Sequence, residues 1–395
     1  MPRQRTPALQ PEQLQGYKYF ARLRPLLERL HGHACQRDRA GNRRLHYDHY
    51  AALLLFYFFN PILTSLRGLQ RASALDKVQQ RLGCGRAALA SLSEASRVFD
   101  PELLRPLLGE LAAQARPVVT GKDADALAAL TAVDGSFWRG LPRMAWALWT
   151  DKAHRGAKLH LHFDVLKGVP VDATVTPAAC SEPDQLRAML QPGRLYVIDR
   201  GYAGYELFAD ILRADSSFVG RLKEDAAFTV QEERTLTPAA RAAGVIRDVV
   251  VSKLGSDHHK DVLGQPVRLV WVATGKRRPD GTEEVLLLCT NLLELPAELV
   301  ALAYKYRWQV ELFFRWFKCI LGARHLVAQS ENGLTLQLYA GLIASLLISL
   351  WTGGKPTKRT FEMVCLYFSG WASLEELDAH IQSLQEHPKK KPRLT

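Results

Sequence analysis

Tyr304, Arg307, Glu311 and Lys318 bring a phenol, a guanidinium, a carboxylate and an ammonium into one short stretch of chain. On a helix advancing about 100° per residue they fall at about 0°, 300°, 340° and 320°, within one arc of about 60°. Arg315, at about 20°, joins them, while Val310, Phe313, Phe317 and Ile320 gather between about 160° and 240°. The spacing predicts a helix over about 297–321 with its apolar face inward and these groups on the other. Taken alone, such a face could be i,i+4 surface pairing.

Two further carboxylates stand at matching places. Asp134 closes the apolar run 127–133, Asp199 closes 194–198, and Gly135 and Gly201 follow within two residues. Acids at the carboxyl ends of adjacent strands lie beside each other at the mouth of an α/β sheet. One such aspartate is ordinarily a turn or cap residue; two, with Glu311 on the following helix, point to a shared site. Three adjacent carboxylates repel one another unless a cation neutralises them. Mg²⁺, with Mn²⁺ as a substitute, suits a few carboxylates plus water and phosphate oxygens. Two such ions about 4 Å apart can activate a water or 3′-hydroxyl and stabilise the leaving oxygen of an in-line displacement. Asp134, Asp199 and Glu311 are the expected ligands.

The elements that must position these acids read as strands over 127–133, 144–149 and 158–165, a helix over 182–190, a strand over 194–198, a helix over 204–213 and a strand over 217–223. Three consecutive strands followed by alternating helices and strands is the order of an RNase H-like α/β fold with a mixed sheet. Strand-like runs at 245–253, 266–274 and 284–290 interrupt it as a β-rich insertion before the glutamate helix. The expected divisions are a helical DNA-binding region over 1–120, the first part of the catalytic domain over 126–223, the insertion over 224–296, the last part over 297–351, and a C-terminal helical region with a basic tail over 352–395.

At these residues the chain resembles the DDE transposases of bacterial insertion sequences that carry a Tyr-Arg-Glu-Lys signature. The spacing Y-x2-R-x3-E-x6-K is met by Tyr304, Arg307, Glu311 and Lys318. Asp134-Gly135-Ser136 and Asp199-Arg200-Gly201-Tyr202 are similar to the two aspartate motifs, and Cys289-Thr290-Asn291-Leu292 to the stretch before the glutamate helix. The resemblance covers about 126–350. It implies metal-dependent cleavage at element ends, transfer of the 3′-hydroxyl into target DNA, and synapsis of two ends by a dimer on DNA. It assigns Asp134, Asp199 and Glu311 to the metal, and Tyr304, Arg307 and Lys318 to the phosphates of the end. Some members form a hairpin and stack a displaced base on a tryptophan of the insertion; here that is Trp271, which equally suits a core aromatic of its strand. Arg200 fits either a phosphate or an acid partner. Two rivals stay open: another RNase H-like nuclease, and a non-catalytic DNA-binding descendant of a transposase.

Bulk properties agree with a polyanionic partner. The 395 residues carry a formal net charge of +12 and a pI near 9.5, which favours nucleic acid first and anionic membrane second. Ten Lys or Arg against four acids within residues 1–50 make either a DNA-facing arm or a solvated basic face. Lys389, Lys390, Lys391 and Arg393 form a basic tail. The six cysteines show no C-x-x-C pair and read as free thiols. No apolar signal core opens the chain, and a cytoplasmic protein is expected. The apolar stretch 334–351 reads as a buried core helix rather than a membrane span. His160 and His162 share a strand face, read as polar rather than metal-binding for want of a third ligand.

Overall fold

The computed structural model describes residues 27–32, 44–140, 144, 146, 147, 156–255 and 262–386. Nine strands form one mixed sheet: β1 (Leu130–Arg139), β2 (Gly156–Asp164), β3 (Val169–Pro177), β4 (Leu195–Ile198), β5 (Ser217–Arg221), β6 (Phe228–Glu233), β7 (Val245–Leu254), β8 (Val267–Arg277) and β9 (Glu283–Thr290). Their order is β3-β2-β1-β4-β5-β9-β8-β7-β6. Only four residues join β2 to β3, which requires antiparallel neighbours. The end of β2 meets the start of β1, where Val165 N donates to Leu130 O at 3.0 Å. β1, β4 and β5 run parallel. That five-strand arrangement is the RNase H-like core. The insertion continues the same sheet, since β9 pairs antiparallel with β5, and β8, β7 and β6 follow as meander strands.

Contacts divide the chain into two units, one of Met1–Arg116, Trp138–Ala157 and Phe314–Thr395, the other of Pro117–Phe137 and Lys158–Phe313. The helices, in chain order, are α1 (Tyr47–Phe58), α2 (Leu66–Ala72), α3 (Asp76–Leu82), α4 (Leu89–Val98), α5 (Pro106–Gln114), α6 (Lys122–Ala126), α7 (Glu182–Ala188), α8 (Tyr205–Arg213), α9 (Pro238–Ala242), α10 (Ala297–Tyr306), α11 (Trp308–Cys319), α12 (Glu331–Thr352), α13 (Lys358–Ser369) and α14 (Leu374–Glu386). Residues 27–32 are also helical.

In the helical unit, α12 is buried from Gly333 to Thr352 and packs against α1, α4 and α5. This is the apolar stretch expected as a core helix. Gly341 permits the closest approach: a Cβ there would lie 2.9 Å from Phe58 Cζ and 3.1 Å from the Phe317 ring. The same unit buries Asp48, whose Oδ2 is 3.0 Å from His31 Nδ1.

In the sheet unit, one face of β4 turns Tyr196 and Ile198 into a cluster with Val133, Leu186, Tyr202, Leu207, Phe208 and Phe218. α7 and α8 supply the helical side of that cluster. The other face of β4 and β5 is covered by α10. Asn291 fastens the approach to α10: its Oδ1 accepts from Phe218 N at 3.0 Å, and its Nδ2 donates to Ser217 Oγ at 3.2 Å. Arg268 makes a two-pronged pair with Asp248, at 2.8 and 2.6 Å, and donates to the carbonyls of Leu293 (2.9 Å) and Leu295.

Several expectations need correction. The second strand is not at 144–149: Met144 and Ala147 lie in a turn, with Ala147 N donating to Met144 O at 3.1 Å, and the remaining positions except Trp146 lie outside the described residues. The third core strand is instead β3. Asp134 does not end its strand, because β1 runs on to Arg139. The helix expected over 297–321 breaks at Arg307, where Arg307 N donates to Tyr304 O and Val310 N to Arg307 O in i→i−3 bonds. His160 and His162 lie on a buried strand face, His160 Nε2 being 2.9 Å from Thr176 Oγ1. The basic positions Arg3, Arg5, Lys18, Arg22, Arg24, Arg37, Arg39 and Arg43 and the tail from Lys389 to Arg393 lie outside the described residues.

Candidate active site

The two aspartates are set by strand register. Ala132↔Val197 is the last matched pair of β1 and β4, and two residues farther along each strand stand Asp134 and Asp199. The backbone at Asp199 is still extended, with φ −85° and ψ −177°. Alternation then puts Asp134 on the Ala132 side and Asp199 on the Val197 side, the same face of the sheet. That face is opposite the cluster of Val133, Tyr196 and Ile198 and is the one α10 covers.

Each aspartate also accepts a hydrogen bond from a nearby backbone amide. Asp134 Oδ1 accepts from Gly135 N at 2.8 Å, and Asp199 Oδ1 from Gly201 N at 2.7 Å, capping a 3₁₀ turn over Arg200–Tyr202. Gly135 is needed for close approach: a Cβ there would stand 2.5 Å from Glu182 Oε1 and 3.0 Å from Lys158 Cδ. Glu182 and Lys158 form an ion pair at 3.0 Å.

Glu311 comes from the first turn of α11 and is held by Arg307 at 2.5 Å. Arg307 also lies 5.9 Å from the Tyr304 ring centroid. Arg221, at the end of β5, donates a hydrogen bond to the Tyr304 phenol. Burial raises the Asp134 carboxyl to about 7; Arg307 and the Gly135 amide oppose the rise, and the negative charges of Asp199 and Glu311 add to it. Burial opposes the charge on Arg307, but Tyr304, Glu311 and Asp134 together leave its pKa raised. The electrostatics thus tie Asp134, Asp199, Glu311, Arg307 and Tyr304 into one cluster, all within the sheet unit.

This donor set, three carboxylates of which one is pushed toward its neutral form, suits a hard divalent cation. Among the described residues, no three His, Cys, Asp or Glu side chains are close enough to hold an ion in their present rotamers. Arg307 pairs with Glu311 through Oε1.

The other candidate residues are placed as follows. Lys318 and Arg315 fall in the helical unit, where Lys318 Nζ lies 4.1 Å over the Trp138 ring centroid and Arg315 is exposed. Arg200 is exposed and makes no ion pair among the described residues. Trp271 is half-buried on β8, with Arg247 5.0 Å from its ring centroid and Phe228 in an edge contact at 5.7 Å. Sequence reasoning missed Arg221, Glu182, Lys158 and Tyr202. Tyr202 was visible only as part of the second aspartate motif.

The RNase H-like sheet thus carries two register-matched aspartates, and the helix after the insertion adds a glutamate. The family model of the transposase DDE domain matches residues 126–347, and the chain belongs to that family. It is 31% identical over 197 residues to y4zB, a protein of Sinorhizobium fredii described as a transposase, covering 50% of this chain and 53% of that one. It is 25% identical over 242 residues to a protein described as the transposase of insertion sequence element IS5377 from Geobacillus stearothermophilus, covering 60% of this chain and 61% of that one. The chain thus spans between about half and three fifths of the length of these relatives. A cryo-EM structure of a piggyBac transposase synaptic complex with hairpin DNA aligns over 98% of this chain and 89% of that one, at 10% identity and a TM-score of 0.39, too low to carry weight.

Proposed function

We propose that the chain cuts DNA at the ends of an insertion sequence and joins the freed 3′-hydroxyl to target DNA, acting in the cytoplasm as a dimer on two synapsed ends. The observation that carries this reading is the register that sets Asp134 beside Asp199 on the face covered by α10, with Glu311 electrostatically coupled to Asp134. Asp134, Asp199 and Glu311 would hold two Mg²⁺ ions, with Mn²⁺ as a substitute. When bound, such ions activate the attacking hydroxyl and stabilise the leaving oxygen.

The remaining steps belong to the chain. Arg307 binds Glu311 through a donor fork that fits a phosphate equally well. It exchanges the carboxylate for a DNA phosphate, which frees Glu311 as a ligand. Tyr304, hydrogen-bonded by Arg221, presents its phenol beside Arg307 and fixes the same phosphate. Arg200, Arg315 and Lys318 supply further phosphate contacts, which position DNA without reading its sequence. Trp271 is the candidate for stacking a displaced base, and would have to shed Arg247 to do so.

The test is cleavage of the cognate element end by wild type and Glu311→Gln, with and without Mg²⁺. Cutting that needs both Mg²⁺ and Glu311 and leaves a joinable 3′-hydroxyl is the expected result. Binding of the end by wild type without cutting or joining would sink the enzymatic reading in favour of a DNA-binding descendant.

A further inference from the structure

We propose that Trp138 is a positioning residue, whose indole ring holds the Lys318 ammonium where it meets a DNA phosphate. This rests on the reading of Lys318 as a phosphate contact given above.

A lysine holds its own position poorly. The ammonium is a compact charge on a flexible four-carbon stem, and ordering that stem costs rotamer entropy. Lys318 is half-buried in the last turn of α11, and its Nζ lies 4.1 Å over the Trp138 ring centroid. That distance is well within the reach of a cation–π attraction, for which indole is the best of the aromatic side chains.

The ring is itself fixed. Trp138 is 4% exposed near the end of β1, and its Nε1 donates to Ala323 O at 2.9 Å. Phe314 and Phe317 meet it nearly edge-on, with centroids 6.4 and 6.1 Å away and planes inclined by 73° and 75°. Both phenylalanines belong to α11, four residues and one residue before Lys318, and Ala323 follows shortly after the helix. Indole and lysine are therefore parts of one packed assembly, wholly within the helical unit. Burial alone does not call for it: leucine would occupy an apolar site without bringing an N–H that must find an acceptor.

The kind of partner matters as much as its rigidity. A carboxylate fixes a cation and cancels its charge, as Glu311 does for Arg307. An aromatic face fixes an ammonium through its quadrupole and brings no net negative charge, so it does not compete with a phosphate as a second anion would. A cation ordered before DNA arrives also loses less freedom on binding. Lys318 shares α11 with Glu311, so the ring steadies a charge on the helix that carries the third acid.

The experiment is fluorescence anisotropy of a labelled duplex of the element end, titrated with the full chain at increasing NaCl. The proteins are wild type, Trp138→Phe, Trp138→Leu, Lys318→Met and the two double variants. Lys318→Met should weaken binding and reduce the slope of log K against log[NaCl] by about 1. Trp138→Leu should weaken binding on the order of 5-fold and Trp138→Phe by less, and neither should weaken it further in the Lys318→Met background. Both substitutions at 138 remove the bond to Ala323 O, so the difference between them reports the ring. If Trp138→Leu does not fold, the cycle built on Trp138→Phe decides alone. The same loss with and without Lys318, or equal losses in the Phe and Leu variants, would overturn the proposal in favour of packing. Wild-type affinity in both variants at 138, with Lys318→Met weakened, would overturn it while leaving the phosphate reading intact. Unchanged affinity and slope in Lys318→Met would remove the phosphate reading itself, and this inference with it.

Discussion

Asp134 and Asp199 each stand two residues beyond the same matched pair, Ala132 and Val197, on parallel neighbouring strands. Their proximity is therefore a property of the sheet and not of a loop. Asp134→Asn and Asp199→Asn should each cut strand cleavage by at least ~10³-fold, because several kcal/mol of transition-state stabilisation is lost. Gel-shift affinity for the element end should change little, and a parallel collapse of DNA binding would contradict the assignment.

The same carboxylate makes a prediction about stability. Asp134 titrates near 7 folded against a reference of 3.8, so between those values the folded chain binds more protons than the unfolded one. Its contribution to stability is therefore greatest at low pH and is lost as pH rises toward 7. Asp134→Asn should melt higher than wild type at pH 8 in EDTA, with the difference shrinking toward pH 4. Melting curves at the two pH values decide it, and a difference that grows on acidification would be the wrong sign.

His160 works in the opposite direction. Burial first, then Lys158 and His162, lower its pKa from 6.5 to about 4. Between those values the unfolded chain binds the extra proton, so stability contributed by neutral His160 is present above 6.5 and lost as pH falls toward 4. His160→Gln should flatten the acid limb of a denaturant-midpoint profile over that window. An unchanged limb would place the acid sensitivity elsewhere.

Arg307→Met should uncouple two functions. It removes the cation that holds Glu311 at 2.5 Å and that lowers the Asp134 pKa. Affinity for the element end should fall, and the acid limb of residual cleavage should move to higher pH. Measuring cleavage from pH 6 to 9 checks this; a limb that stays put would mean Arg307 does not act on Asp134.

Arg268 and Asp248 are 4% exposed each and pair through Nε and Nη2 of the guanidinium. Arg268→Ala should cost about 3–5 kcal/mol by stranding Asp248. Replacing both with apolar residues should recover part of that cost. The remainder should show as faster hydrogen exchange over 291–296, because Arg268 also donates to Leu293 and Leu295. Full recovery with unchanged exchange would mean those carbonyl bonds contribute nothing.

The strand and helix order was legible because apolar runs broken by glycine, and amphipathic stretches, survive as local patterns. β3 was not, because Pro170 and Asp172, residues depleted in strands, stand near its start although Val169, Val171, Ala173 and Val175 keep the alternation. The run 144–149 misled for the converse reason, since a buried turn needs the same apolar residues as a buried strand. At the site, the acids announced themselves by type and spacing. Arg221 and Tyr202 did not, because their relevance depends on where β5 ends and how the turn after Asp199 folds back. The break at Arg307 was equally hidden: it changes two hydrogen bonds without changing the composition of the helix.

Because β9 docks on β5, the insertion is a guard as well as an extension. Among the described residues the sheet ends at two margins, and both are unattractive to another strand: β3 carries Pro170, which lacks an amide hydrogen, and β6 ends in Gln231-Glu232-Glu233. Excising the insertion would replace the β6 margin with one at Val219-Gly220-Arg221, which has no proline and Arg221 as its one charge. A shortened chain would thus trade four strands for an adhesive seam, and self-association would set in before any question of catalysis arose.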